Sequence, residues 1–448
     1  MNSIDRALAA AVDVAWGPLL IVLLLGGGLY LTIRSRFLPF VGVRHALEIL
    51  RGKYDRPSDP GELTHFQALA TALSSTIGLG NIGGVAIAIT QGGPGAVFWM
   101  WMAGIVGMAT KFFTCTLAIL YRGRDSEGNL QGGPMYYIEA GLGKKFRFLA
   151  IFFSICGMVG CLASFQSNQV AGILLETFEV PRFATGLVCL VLVGMVSLGG
   201  IQRVGKVAGR LVPLMCLIYL ASGLLIVFLR YTQIPEVLTS IFHDAFTGTA
   251  AVGGAAGITF ARVIQTGVKR AVFSNEAGLG TAPMAHGAAK TNEPVREGLV
   301  AMLGPFIDTI LVCSLTAFII LSTGLWQGSG AVEGVALTVR AYESVLGSSG
   351  KLLLVVVAAM FGFTTMIGYS YYGRKCFSYL FGADKARYYD VFYFAMLYVG
   401  AVWSAASVVN LIDTSYAMMA LPNMIATLVL APKVMEATKQ YFRRLSSE

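Results

Sequence analysis

Two stretches decide how this chain is read: Ser74-Ser75-Thr76-Ile77-Gly78-Leu79-Gly80-Asn81-Ile82-Gly83-Gly84 and Phe273-Ser274-Asn275-Glu276-Ala277-Gly278-Leu279-Gly280. Each is polar and rich in glycine, and each interrupts an otherwise apolar run. An ordinary spanning helix satisfies its own backbone. A break of this kind releases N–H and C=O groups, which are tolerated at membrane depth only where they line a cavity or are buried in protein. A single glycine there reads as a small residue that lets helices approach closely. Two polar breaks at matched places are a pointer to a transporter's binding site.

The rest of the chain makes the membrane reading firm. Of 448 residues, 56% are hydrophobic and 13% charged, with mean hydropathy +0.69. Globular chains carry about 25% charged residues, so a soluble protein of this size could not cover its surface. Apolar dominance excludes disorder, and glycine without a triplet period excludes collagen. A crossing needs about 20 apolar residues. Eleven candidates follow, near 16–33, 65–90, 95–121, 148–176, 183–200, 209–231, 246–282, 297–323, 350–377, 388–408 and 410–432. Counted from the second span, the two breaks open the first and sixth of ten helices. That is the pattern of two inverted five-helix repeats, residues 64–232 and 246–432, preceded by an extra helix with an amphipathic linker (1–63) and followed by a tail (433–448). The fold class expected is an all-α integral membrane protein with about eleven transmembrane helices.

The net charge is +9, from 33 Lys+Arg against 24 Asp+Glu. Under this topology 27 of the basic residues fall on one side and five on the other, with Lys111 inside a span. The positive-inside rule then puts the N-terminus outside and the C-terminus in the cytoplasm of a plasma (inner) membrane, as a multi-pass protein. Basic loops account for the charge without nucleic acid, since no basic stripe with interleaved aromatics occurs. Seven cysteines lie in or beside apolar runs with no CxxC pair, and the four histidines have no metal-ligand spacing. The N-terminus lacks a basic n-region and an A-x-A site, so no removable signal peptide is expected. Gly78-x-Gly80-x-x-Gly83 matches a dinucleotide fingerprint, but it lies in a membrane helix and no Asp or Glu occurs between Glu62 and Asp125.

Unwound helix ends have a defined chemistry. N-termini of half-helices present free N–H groups and partial positive charge, suited to a carboxylate. Carbonyls and half-helix C-termini suit a small cation. A zwitterionic amino acid with Na⁺ would use both.

At the two breaks the chain resembles the alanine or glycine:cation symporter family, of the amino acid–polyamine–organocation superfamily. The similar strings are Gly78 to Ala86 running into Gln91-Gly92-Gly93-Pro94-Gly95-Ala96-Val97-Phe98-Trp99-Met100-Trp101, then Gly132-Gly133-Pro134-Met135-Tyr136-Tyr137-Ile138-Glu139. They continue with Phe273 to Pro283, Ile307-Asp308-Thr309 and Gly368-Tyr369-Ser370-Tyr371-Tyr372-Gly373. The resemblance implies a LeuT-like core and symport of alanine or glycine with Na⁺, less often H⁺. It also implies site residues. Amides at Leu79 and Gly80 would meet the substrate carboxylate, within a substrate set of Thr76, Gly78, Leu79, Gly80, Asn81, Gln166, Phe273, Ser274 and Asn275. Carbonyls at Ser74 and Ile77, with hydroxyls at Thr364 and Thr365, would form the cation site, hard oxygens being what a small cation requires. The competing reading of Thr364 and Thr365 is back-bonding to their own helix. Leu79 departs from the family's usual small or hydroxyl residue, which bears on pocket size and not on fold.

Ionisable residues inside spans are functional hypotheses by default. Glu276, Asp308 and Asp413 are the coupling or gating candidates, Asp413 as either a gate or a cap. Lys111 is read as snorkelling or paired. No Ser/His/Asp set, HExxH or Walker A string occurs, so an enzyme or an ATP-driven pump is not expected. A channel would lack a reason for matched broken helices. The expectation is a secondary symporter with no cofactor, whose partners are a small neutral amino acid, Na⁺ (or H⁺) and membrane lipid. The alternatives are a transporter for another small amino acid with the same fold, or a channel-like membrane protein.

Overall fold

The computed structural model describes residues 3–247, 260–327 and 334–447. Apolar sequence that cannot be solvated as strand or loop folds into helices, numbered here in chain order. They are α1 (Pro18–Arg34), α2 (His65–Thr76), α3 (Val85–Gly92), α4 (Gly95–Leu120), α5 (Arg147–Gly160), α6 (Ser164–Phe178), α7 (Arg182–Ser197) and α8 (Gly200–Leu229). There follow α9 (Phe260–Asn275), α10 (Ala282–His286), α11 (Pro294–Ala301), α12 (Ser314–Thr323), α13 (Val335–Phe381), α14 (Ala386–Val402) and α15 (Ala405–Ser447). Among the described residues, six helical stretches are long and apolar enough to cross a bilayer alone. Two bent pairs, one of them α2 with Gly80–Gly92 at 48°, bring the number to eight.

Which face each helix buries follows from residue spacing. In α8, Val204, Ala208, Val212, Met215 and Tyr219 recur at helical period and are buried, whereas Leu214, Leu217, Leu224 and Phe228 are exposed. The exposed apolar stripe is the surface a lipid chain solvates. By contrast α2, α4 and α9 are buried along most of their length, so they form the centre of the bundle.

The chain departs from the sequence reading in places. The fourth span is interrupted at residues 161–163, between α5 and α6. The seventh, expected over 246–282, falls partly on residues 248–259, outside the described residues. Its described part is the last two residues of a helix Ile234–Thr247 that begins before the expected span, then α9 and the break that follows it, up to the first residue of the short α10. The ninth begins earlier, at Val335, and turns at Gly347, whose φ is +65°. The last does not stop at a membrane boundary. At about 1.5 Å per residue, the 43 residues of α15 extend about 64 Å, roughly twice a 30 Å hydrocarbon core.

Close crossings depend on glycine. A Cβ at Gly267 of α9 would overlap the Ala96 carbonyl and lie 2.7 Å from Trp99 Cβ of α4, whereas one at Gly209 of α8 would meet only Phe66 Cε1, at 3.8 Å. Gly267→Ala is therefore expected to destabilise the protein by about 1–3 kcal/mol through overpacking. Gly209→Ala should be neutral or stabilising. Thermal unfolding of the two detergent-solubilised variants checks this, and equal melting temperatures would contradict the assigned crossing.

Candidate substrate and cation site

The first break begins where α2 loses its hydrogen-bond ladder. Ile77 is extended, with ψ 94°. The Gly78 amide, instead of bonding back to Ser74, donates to Asn81 Oδ1 at 2.8 Å. The chain resumes as a π-helical turn, Gly80–Gly84, before α3. The second break follows α9. The Asn275 side-chain oxygen accepts from the Ala277 amide at 2.8 Å, and Glu276, Gly278 and Gly280 all have positive φ. Glycine adopts this conformation freely. For Glu276 it costs about 1–3 kcal/mol, which its buried carboxylate offsets by accepting from Tyr369 Oη at 2.6 Å and from Thr281 Oγ1.

The two breaks touch. A Cβ on Gly80 would lie 3.3 Å from Ser274 Cα and 3.4 Å from the Phe273 ring. They are also tied by Cys313, whose Sγ lies 3.3 Å from Asn81 Nδ2 and 3.4 Å from Ser274 Oγ, and above all by the fully buried Asp308 on the same second π-helical stretch, Phe306–Cys313. Its Oδ1 accepts from Asn81 Nδ2 at 2.7 Å, and Ser274 Oγ lies 3.1 and 3.0 Å from its two oxygens. Thr309 Oγ1 donates to Oδ2 at 2.8 Å and itself accepts from Asn275 Nδ2 at 2.9 Å. Thus Asn81, Ser274, Asn275 and Asp308 form one connected network, and π-turns of this kind recur at functional sites.

Around this contact stand the other candidates. Phe273 meets Phe165 edge-on at 5.0 Å between centroids and Tyr416 at 5.6 Å. Gln166 is buried, and its Oε1 has no hydrogen-bond partner among the described residues. The Leu79 side chain is directed at α13, where its Cδ1 would lie 3.3 Å from a Cβ on Gly362. The Thr76 hydroxyl bonds back to Ala72, and that of Ser74 to Thr71. Thr364 and Thr365 both donate to the Phe361 carbonyl at 3.0 Å. They differ in what they face. Thr365 Oγ1 lies directly against Gly78, whereas the Thr364 hydroxyl lies 3.5 Å from Met215 Sδ of α8. Back-bonding uses the hydroxyl hydrogen and leaves the oxygen lone pairs available to a cation.

Lys111 does not reach an interface. It is 2% exposed, and Glu276 and Asp308 are the carboxylates acting on it. Asp413 is paired with Arg270, with Lys269 Nζ at 3.7 Å from the same carboxylate. The Arg270 guanidinium lies 4.9 Å from the Phe273 ring centroid. The ion pair thus covers the aromatic residue that covers the break. Above it, a cavity of ≈ 270 Å³ is lined by Asp13, Gln91, Gln169, Lys269 and Asn410 among others. On the face with the basic loops, a cavity of ≈ 410 Å³ is lined by Glu62, Ser370, Tyr371, Arg374 and Lys375 among others. Lys375 donates to the Met284 carbonyl of α10 at 2.9 Å.

The sequence alone does not disclose the Arg270–Asp413 pair, the hydrogen bond between the Tyr369 and Tyr416 hydroxyls, or the Phe165 wall. The available signal is Asp413, an ionisable residue inside a span, whose partner the sequence does not name.

Comparison with known proteins identifies the family and the fold. A family model described as the sodium:alanine symporter family matches residues 1–448. The sodium/alanine symporter AgcS of Methanococcus maripaludis is 40% identical over 95% of this chain and 94% of its own length. A probable sodium/glutamine symporter, GlnT of Bacillus subtilis, is 36% identical over 98% and 91%. Among solved structures, MhsT in complex with L-phenylalanine superposes with TM-score 0.61 at 13% identity, covering 83% of this chain and 89% of that one, a likeness of fold. The fold is LeuT-like, and the chain belongs to the sodium:alanine symporter family of multi-pass membrane transporters, which are not enzymes.

Proposed function

We propose that this transporter carries a small neutral amino acid, alanine or glycine, into the cell together with Na⁺, by alternating access around the contact between its two breaks. The observation that carries the reading is that contact: Gly80 lies against Phe273 and Ser274, and Asp308 bonds to both sides. The amides of Leu79 and Gly80 open a helical turn and are the seat for the carboxylate. The unpartnered Gln166 Oε1 is an acceptor suited to the ammonium group. Phe165 and Phe273, in edge-on contact, are the aromatic wall beside that seat. Carbonyls of Ser74 and Ile77 with the hydroxyl of Thr365 form the cation site, and the direction of Thr364 makes it the weakest member of that set. Taken as ionised, Lys111, Glu276 and Asp308 sum to one negative charge, which a bound cation balances.

The cavities on the two faces then serve as alternate access routes, closed off by the Arg270–Asp413 pair on one side and by the α2–α10 region on the other. The bias of basic residues supports an outside N-terminus and a cytoplasmic C-terminus; Arg262, Lys269 and Arg270, expected on the cytoplasmic side, belong to the helix that packs beside Asp13 and Trp16, which makes the bias 24 to eight. The residue ranges 64–232 and 246–432 are the proposed inverted repeats.

Purified protein in vesicles is expected to accumulate labelled alanine or glycine when Na⁺ is higher outside. The panel should include glutamine, given the Bacillus subtilis relative, and imposed pH gradients should be tested separately. Uptake that ignores both gradients would remove the symport reading. Thr365→Ala removes one hard oxygen ligand and should raise the Na⁺ concentration for half-activation about tenfold, equivalent to roughly 1.4 kcal/mol, with a smaller effect on substrate affinity at saturating Na⁺. An unchanged Na⁺ dependence would place the cation elsewhere. Gly80→Val puts side-chain volume where Ser274 and Phe273 approach within 3.4 Å and should abolish uptake. Normal uptake by that variant would contradict a carboxylate seat on this backbone.

A further inference from the structure

The cytoplasmic ends of the two broken helices are joined to each other. The strand-like segment leading into α2 runs beside the segment that leaves α10, with Leu63 and Ala289 as parallel bridge partners. The Glu62 and Leu63 amides donate to the Ala288 carbonyl at 2.8 and 3.0 Å. The Lys290 amide returns a bond to Leu63, at 2.6 Å, and the Thr291 amide one to Pro60, at 3.2 Å. Arg122, just past the end of α4, donates to carbonyls on both segments: Gly287 at 2.9 Å, Thr291 at 2.9 Å, Pro60 at 3.2 Å, and Ala289.

Beneath this zipper lies a cluster that the transport reading does not use. Glu297 of α11 is fully buried. One of its oxygens bonds to His65 Nδ1, on the first residue of α2. The other lies 2.5 Å from His286 Nδ1, on the last residue of α10. His286 Nε2 has no hydrogen-bond partner among the described residues. The ring therefore donates through Nδ1 to the carboxylate and keeps its bare nitrogen in the apolar interior.

From this geometry we infer that Glu297 is a positioning residue of the transport cycle: it fastens His65 and His286 so that the inner halves of both broken helices move as one body. The inference rests on the alternating-access reading. Separating α2 from α10 would strip partners from a buried carboxylate and from a guanidinium, a costly loss. Parting the pair from α8 and α13 is cheaper. At its inner end that boundary is crossed by the Lys375 bond to Met284, by the Cys376–Met284 sulfur contact and by apolar contacts such as Leu63 on Gly205, the Tyr369 bond to Glu276 lying further in, and the ≈ 410 Å³ cavity already lies along it. Opening toward the cytoplasm therefore takes place at that boundary, and α2 does not swing out alone.

The test is a reversible cross-link in reconstituted protein, with single-cysteine variants as controls for the native thiols. Leu63→Cys with Ala289→Cys joins the two segments, and uptake of the fastest substrate in the panel should change by less than about twofold on cross-linking. Ser75→Cys with Gly368→Cys spans the α2–α13 boundary, where Ser75 Cβ would lie 3.4 Å from a Cβ at 368. Cross-linking that pair should stop transport. Glu297→Ala should lower uptake at least about tenfold, and the 63–289 cross-link should restore it, which a role in folding alone would not allow. Arrest of transport by the 63–289 cross-link, or full activity of Glu297→Ala, would overturn the inference. If Glu297→Ala does not fold, Glu297→Gln and the cross-linked pair in the parent decide it. Uptake before cross-linking tests the symport reading, and only the ratio after to before tests the clamp. Should no amino acid be transported, deuterium exchange of segments 60–76 and 282–291 in Na⁺ and in K⁺ replaces uptake. Parallel changes support a single body, and a change in one segment alone refutes it.

Discussion

The Asp308 carboxylate is the interaction on which the centre of this protein depends. A peptide group inside a bilayer must find a partner, and two helices that abandon their ladders at the same depth leave several without one. Asn81 answers part of this by accepting from the Gly78 amide with its oxygen and donating to Asp308 with its nitrogen. Ser274 and, through Thr309, Asn275 connect the second break to the same carboxylate. Unwinding is therefore a shared arrangement, in which each break supplies polar groups that keep the other open.

The electrostatics follow from that arrangement. A buried carboxylate is expensive unless paired and hydrogen-bonded, and here two carboxylates are set against one lysine. Their surroundings are otherwise apolar or aromatic: Phe165, Phe273, Tyr369 and Tyr416 are all nearly inaccessible. In the symport reading proposed above, a bound cation would balance the single negative charge left by Lys111, Glu276 and Asp308, and a neutral zwitterion would leave that balance unchanged.

How much of this the sequence disclosed depends on the range of the interaction. The breaks are legible because glycine and polar residues inside apolar runs are local signals. Asp308 is legible as an ionisable group at membrane depth. What it touches is not, because Asn81 is 227 positions away and one sequence holds no record of pairing. The same holds for Arg270 with Asp413 and for Glu297 with His65. The histidines were set aside because spacing along the chain carried no ligand pattern, and their meaning lies in a carboxylate from another helix. The distinction between Thr364 and Thr365 is a matter of about 100° around a helix, visible only once the helix has a register against α2.

In the proposed reading the carboxylate is held by main chain, which side-chain replacements outside the glycines themselves leave in place. Most side-chain replacements around Gly80 would leave its amide where it is, so lineages can diverge in the aromatic and aliphatic walls while the part that grips the common backbone of all amino acids is inherited unchanged. Diversification of cargo within such a lineage then becomes a matter of wallpaper: kin with different diets should differ at positions such as 79, 165 and 273 and agree in the glycines between them.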